Sequence, residues 1–256
     1  MIVIIMAGGF GKRMNSDLPK VLHQVIHPIN KNVSYPMLIH VIMTATMLNP
    51  SKIFIIVGKY KNVISSCIDE YVQNKTIINP DIIEYVNQEE PQGTGHAIMC
   101  SLEQISKFSN EQAIIMSGDV PLISHITLLN MLRKNQNTLL GTELDNPFGC
   151  GRILMGKYNN IVGIREEKDC NSDEKLIRLV NCGVYKIEVD DLIKFIPMIS
   201  NNNNSHEYYL TDIVELLIES NIPVELNILD KSLQYEIKNV NTQKDLKELN
   251  EFIEML

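Results

Sequence analysis

The chain opens on Ile2-Val3-Ile4-Ile5-Met6, an unbroken apolar run rich in β-branched residues and closed by glycines, which reads as a buried strand. Strand-like and helix-like stretches then alternate. Met37, Leu38, Val41, Ile42 and Ala45 recur at helical spacing after Pro36; residues 53–57 are strand-like and 62–72 helical. Short apolar runs return at 82–86 and 113–116, followed by helical patterns at about 94–107 and about 124–133. This alternation predicts an α/β, Rossmann-like fold: a mostly parallel sheet flanked by helices and joined by right-handed crossovers. Ligands in such sheets gather at the carboxyl ends of the strands.

Past residue 150 the pattern changes. Closely spaced apolar runs at 152–155, 161–165, 177–180 and 184–187 predict a small antiparallel or mixed extension laid over the sheet. Asn201-Asn202-Asn203-Asn204 reads as a solvated loop, 207–218 as helical, 224–229 as strand-like and 242–256 as a charged amphipathic helix. With no internal repeat and no break in composition, a single domain over 1–256 is expected.

Hydrophobic residues at 45% and charged residues at 21% fit a soluble enzyme. A net charge of -8 argues against wholesale binding to nucleic acid or an anionic membrane, so anionic ligands must be met by a few placed cations. Five cysteines without a Cys-x-x-Cys pair suggest free thiols in a reducing, cytoplasmic setting. The six histidines lack zinc-ligand spacing. No leader precedes the first strand, and no apolar run approaches the roughly 20 residues of a membrane span.

Three segments carry candidate chemistry. Residues 7–20 place Gly8, Gly9 and Gly11 directly after the first strand, where exposed N–H groups can approach an anion, and add Arg13 and Lys20. The loop is not a Walker-A motif, because Arg13 follows Gly11-Lys12, nor a dinucleotide fingerprint, because Met14 stands at the third glycine position. Ser117-Gly118-Asp119 follows another strand, and its carboxylate suits Mg²⁺ on a triphosphate as well as it suits a plain turn. In Gln92-Gly93-Thr94-Gly95-His96-Ala97 the glycines allow close approach and Thr94 resembles an N-cap. His96 reads as a satisfied helical histidine, and nearby Gln88 offers the amide complement of a uracil edge.

Together with Asp17-Leu-Pro-Lys20, Asn146-Pro-Phe-Gly-Cys-Gly151-Arg-Ile, Glu166-Glu-Lys-Asp, Asn181-Cys-Gly, Glu207-Tyr-Tyr-Leu-Thr-Asp212 and Asn239-Val-Asn241, these segments resemble the sugar-nucleotidyltransferase family. The resemblance is greatest to the uridyltransferase domain of the bacterial bifunctional enzyme that makes UDP-N-acetylglucosamine. It implies Mg²⁺-dependent transfer of a uridylyl group from UTP to N-acetylglucosamine 1-phosphate, with release of pyrophosphate. It further implies a nucleotide-binding part over about 1–120 and a sugar-binding part, with the C-terminal helix, over about 121–256.

Residue by residue, the resemblance assigns Met6, Ala7, Gly8, Gly9, Gly11 and Arg13 to the nucleotide phosphates and ribose, and Lys20 to a phosphate. Gln88, Gly93 and Thr94 fall on uracil contacts, and Asp119 and Asn241 on the Mg²⁺ ligands, with Ser117 and Gly118 alongside. Gly151, Glu166 and Asn181 fall on the sugar, and Tyr208, Tyr209 and Thr211 line its side. Arg13, Lys20 and Asp119 are the expected catalytic set.

The departures bear on substrate preference. Gly8 stands for a usual alanine, Phe10 and Lys12 for smaller or uncharged residues, Ser117 for tyrosine and Cys182 for threonine. Another sugar 1-phosphate, dTTP, or a non-catalytic nucleotide-sugar sensor remain alternatives. A sequence ending where the acetyltransferase repeats would begin implies no acetyl-coenzyme A chemistry, and a monomer or weak homo-oligomer.

Overall fold

The computed structural model describes every residue except Phe10 and Ile78, and Lys12 by its backbone alone, so the departures at Phe10 and Lys12 lie outside the described residues and side chains. In chain order the elements are β1 (Ile2–Met6), β2 (Gln24–Ile26), β3 (Ser34–Pro36), α1 (Met37–Thr46), β4 (Lys52–Val57), α2 (Lys61–Gln73) and β5 (Ile83–Asn87). Then come α3 (Thr94–Met99), α4 (Leu102–Ile105), β6 (Gln112–Ser117), α5 (His125–Leu132), β7 (Asn137–Glu143), β8 (Arg152–Met155) and β9 (Ile161–Arg165). The chain finishes with β10 (Leu179–Glu188), α6 (Val189–Phe195), α7 (Asp212–Glu219), β11 (Val224–Ile228) and α8 (Gln243–Met255).

The main sheet runs β11-β7-β10-β6-β1-β4-β5. Strands β6, β1, β4 and β5 are mutually parallel, while β10 lies antiparallel between β6 and β7. The hairpin β8–β9 branches from β10 as the antiparallel extension expected from the sequence. The α/β class with a mostly parallel sheet therefore stands.

Both sheet faces are covered, which is why the central strands are apolar without alternation. Val3, Ile5, Ile53 and Ile55 face Leu38 and Ile42 of α1, Ile64 and Ile68 of α2, and Leu128 and Met131 of α5. Ile2, Ile4, Phe54 and Ile56 face α3, α6 and α7 through Ile98, Leu192, Phe195, Ile213 and Leu217. A third cluster joins Met14 of the glycine loop to Val25, Met37 and Leu122, and to Val240, Leu249 and Ile253 at the last helix. Among the described residues no helix is long and apolar enough to cross a membrane.

Four features depart from expectation. Residues 137–143, Asn-Thr-Leu-Leu-Gly-Thr-Glu, form an interior strand, second from one edge of the sheet, although three of them are polar and buried. Their side chains are satisfied, Asn137 by the Asp191 carboxylate at 2.6 Å and Thr142 by the Leu229 carbonyl at 3.1 Å. The runs at 177–180 and 184–187 fuse into the single strand β10, whose register with β7 shifts between Asn181 and Tyr185. The helix expected over 94–107 breaks at Cys100–Ser101, where the buried Ser101 hydroxyl returns to the Ile98 carbonyl at 2.8 Å. The helix expected from 207 begins only at Asp212, because the preceding residues are bonded to another segment.

The third cluster makes α8 a structural support of the glycine loop, and Ile253 is fully buried within it. Replacing Ile253 by Ala is expected to lower unfolding stability by about 2–5 kcal/mol, read as a lower midpoint in urea at unchanged slope.

Candidate active site

The glycine loop leaves β1 at the sheet's carboxyl edge and is held by backbone bonds on both sides. Ala7 N–H donates to Ile56 O at 2.8 Å, and Gly118 N–H to Met6 O at 2.9 Å. Gly11 adopts φ +58°, and a Cβ there would lie 2.7 Å from the Lys20 Cβ, so glycine is what lets the Lys20 stem pass. Met14 then plugs the loop into the third cluster and its neighbour Arg13 is turned to solvent.

The Lys20 ammonium bridges two oxygen donors brought from distant parts of the chain. It pairs with Asp119 Oδ2 and donates to Asn241 Oδ1 at 3.1 Å. The Val240 N–H donates to the Asp119 carbonyl at 3.2 Å, which fixes the Asn241 segment beside Asp119. Thr242 and Asp245 form the capping box of α8, so Asn241 does not cap that helix and its side-chain oxygen is used on Lys20. Asp119 is 5% exposed, and its Oδ1 has no hydrogen-bond partner among the described residues. A buried, unused carboxylate oxygen beside a carboxamide oxygen fits a hard divalent cation that takes its remaining ligands from phosphates and water.

Two cavities meet over this cluster, sharing Met6, Thr94, Ser117, Asp119 and Gly183. The smaller lobe, about 570 Å³, is walled by Ala7, Gly8, Gly9, Lys20, Gln88 and Gly93. Gln88 is oriented by its surroundings: its Nε2 donates to Gly93 O at 3.2 Å and to His96 Nδ1 at 3.0 Å. Its Oε1 lies next to Gly8, 3.2 Å from where a Cβ would stand. His96 is a satisfied helical histidine, as expected, and it positions Gln88.

The larger lobe, about 720 Å³, is walled by Gly151, Glu166, Asn181, Tyr185 and Thr211, with the segment 234–239 closing it. Thr211 Oγ1 donates to Glu166 Oε1 at 3.0 Å. Burial raises the Glu166 carboxyl above the usual range, and the Thr211 bond only partly offsets this. Asn181 Nδ2 donates to the Tyr185 hydroxyl at 2.7 Å, while its Oδ1 accepts the Gly183 N–H at 3.0 Å. These bonds hold the bend of β10 at Gly183, whose φ is +70°.

One strip of backbone ties the lobes together. Tyr208 N–H donates to Gln92 O at 2.8 Å, Gly95 N–H to Tyr208 O at 2.7 Å, and Leu210 N–H to Thr94 Oγ1 at 3.0 Å. Thr94 is therefore not the N-cap suggested by its sequence: Gly93 holds that position and the hydroxyl serves Leu210. A Cβ on Gly93, which has φ +114°, would sit 2.4 Å from Tyr208 O.

Most sequence-picked residues thus converge: Met6, Ala7, Gly8, Gly9, Lys20, Gln88, Gly93, Thr94, Ser117, Asp119, Gly151, Glu166, Asn181 and Thr211 line the lobes, and Asn241 joins through Lys20. Arg13 is not brought in, since the loop's turn spends its inward direction on Met14. Gly118 is a packing position whose Cβ would press on Leu38 and Val21 at 3.3 Å. Gly11, Tyr208 and Tyr209 are absent from both linings; Tyr208 acts through its backbone. Sequence reasoning missed Tyr185 and Gly183, whose signal was the glycine two residues after Asn181. Asp212 lines neither lobe, yet burial and then the Glu166 charge push its carboxyl up to about 6.

A Bacillus anthracis chain provisionally named glucose-1-phosphate thymidylyltransferase superposes with a TM-score of 0.70 at 17% identity, covering 100% of this chain and 96% of that one. The MobA-like NTP transferase domain matches residues 3–141, and the chain belongs to that family. A probable UDP-N-acetylglucosamine pyrophosphorylase of Acanthamoeba polyphaga mimivirus is 40% identical over 255 residues, 96% of this chain and 94% of the relative. Bifunctional protein GlmU of Dechloromonas aromatica is 35% identical over 251 residues, 97% of this chain but 51% of the relative, so the chain spans about half the length of that bifunctional protein.

Two outcomes follow from this geometry. Gly93→Ala is expected to cost about 1–3 kcal/mol in backbone strain and to free the 207–210 strip, seen as faster amide exchange there. The Asp212 carboxyl, with its folded pKa of about 6 against 3.8, binds its proton more tightly in the native state, so its contribution to stability falls as pH rises through that window. Since Asp212 is only half-buried, solvent screening reduces the effect, and Asp212→Asn should gain about 1 kcal/mol over wild type at pH 7 and little at pH 4, by urea unfolding at both pH values.

Proposed function

We propose that this protein transfers a uridylyl group from UTP to N-acetylglucosamine 1-phosphate, forming UDP-N-acetylglucosamine and pyrophosphate. The observation that carries the reading is the Lys20–Asp119–Asn241 cluster at the junction of the two lobes. The smaller lobe takes the nucleotide, its glycine backbone meeting the phosphates and the Gln88 Oε1 facing the base. The larger lobe takes the sugar, with Glu166 and Asn181 on its hydroxyl and acetamido groups. The division into a nucleotide part over about 1–120 and a sugar part over about 121–256 follows this assignment, with Asn241 returning from the second part to the first.

In the reaction a phosphate oxygen of the sugar phosphate attacks the α-phosphorus of UTP, and the bond to pyrophosphate breaks. The nucleophile is already an anion, so no side chain need be one, and the protein's work is positioning and charge neutralisation. Lys20 offsets the repulsion between the two phosphates from a fixed position. Asp119 and Asn241 would hold Mg²⁺, which when bound supplies positive charge at the reacting phosphates. Arg13, exposed on the loop, can contribute only by swinging toward a bound triphosphate.

The test is pyrophosphate release from UTP or dTTP with a panel of sugar 1-phosphates, with and without Mg²⁺. UTP with N-acetylglucosamine 1-phosphate should give the highest kcat/KM, and release should vanish on chelation. Asp119→Ala is expected to lower kcat by at least about 100-fold. A variant that keeps most of the wild-type rate at saturating Mg²⁺ removes Asp119 from the reaction.

A further inference from the structure

We infer that Cys150 and Cys182 form an oxidisable dithiol across the wall of the larger lobe, and that joining them disables the sugar subsite; the second half rests on the function proposed above. Val180 pairs antiparallel with Arg152, and the Asn181 N–H donates to Gly151 O at 2.9 Å. Cys150 and Cys182 are the next residues beyond that bond, one on each of the two facing segments, with Cys150 just outside β8 and the bend of β10 just after Cys182. A directly opposed pair next to a hydrogen-bonded one has Cα atoms about 4.5 Å apart and side chains on the same face. Disulfides span Cα separations of about 4.4–6.8 Å, a range that includes directly opposed residues of an antiparallel pair.

Independent observations agree with the pairing. Both cysteines are free, and both line the larger lobe. They are close enough that charge on Cys150 disfavours charge on Cys182. The Cys150 backbone is fixed: its N–H donates to Pro147 O at 3.1 Å, and its carbonyl accepts from the Arg152 guanidinium, which Glu167 holds at 2.6 Å. The loop that carries Cys150 is therefore held in place on its own side of the lobe. Burial raises both thiols, so little thiolate is present at neutral pH and the pair stays reduced until a strong oxidant reaches the lobe.

The residues next to the pair are Gly151 and Asn181, two of the three assigned to the sugar; the third is Glu166. With a diazene oxidant the step balances: both S–H bonds break, one S–S bond forms, and two electrons and two protons pass to the N=N bond, giving a hydrazine. The bridge would set a rigid cross-link into the wall beneath the sugar, with both sulfurs turned away from the positions they hold in the reduced lobe.

The full chain would be treated with diamide under native conditions, its remaining thiols alkylated, and its peptides mapped. A Cys150–Cys182 cross-link is expected, with Cys67, Cys100 and Cys170 alkylated. KM for N-acetylglucosamine 1-phosphate should rise about tenfold or more while KM for UTP stays within about twofold, with recovery on reduction by dithiothreitol. Cys182→Ser, treated in the same way, should keep the constants it had before treatment. Alkylation of both thiols after diamide, or cross-links to other cysteines or between chains, overturns the dithiol. A mapped cross-link with unchanged KM overturns the claim on the sugar subsite. If the reduced chain releases no pyrophosphate at all, the functional reading fails, while the peptide map still decides the dithiol.

Discussion

The Lys20 ammonium is the point on which this structure turns. It holds a carboxylate oxygen from the end of β6 and a carboxamide oxygen from the approach to α8, residues separated from it by 99 and 221 positions. An acidic chain that must accommodate clustered phosphates needs a cation where those phosphates meet, and it needs that cation held still. The ion pair and the Asn241 bond do this while no anion is bound. They also keep Asp119 and Asn241 facing one another, so that the oxygen donors are arranged before any ligand arrives.

Two other devices make this convergence rigid. The Gly11 turn lets the loop fold back past the Lys20 stem, and Met14 anchors it in the cluster shared with Leu249 and Ile253. The Gln243 side chain adds a bond to Met14 O at 3.3 Å. The last helix consequently supports the glycine loop, although it lies far from it in sequence. On the opposite side, the 208–211 strip binds the turn at Gly93 through its backbone and the sugar lobe through Thr211. A few short hydrogen bonds thus join the two lobes directly.

Much of this was legible in the sequence because the information is contiguous. A β-branched run, three glycines, a lysine and a later strand ending in Gly-Asp together specify a loop and a carboxylate at one sheet edge. What failed was what depends on distant partners. Residues 137–143 carry no apolar alternation, and partners such as Asp191, Glu188 and Leu229 make their polar side chains tolerable inside the sheet. Thr94 has the composition of a cap, yet Leu210 takes its hydroxyl. Arg13 has the charge of a catalytic residue, yet the depth to which Met14 is buried turns it outward. The role of Asn241 was accessible by resemblance alone, since no local pattern distinguishes it from a helix cap.

The charge distribution of the two lobes gives the acceptor a direction. Lys20 stands at the junction, whereas Glu166 lines the far wall, coupled to the Asp212 charge. A sugar phosphate entering the larger lobe gains by placing its phosphate near the ammonium and loses by placing it near the carboxylates, where burial weakens screening. Its hydroxyls, in contrast, can donate to Glu166, which accepts from Thr211 and has acceptor capacity left. Acidic residues around a site for an anionic substrate are therefore no contradiction. On the proposed function they disfavour the reversed orientation and leave the attacking oxygen at the end of the lobe where Asp119 and Lys20 would meet the nucleotide.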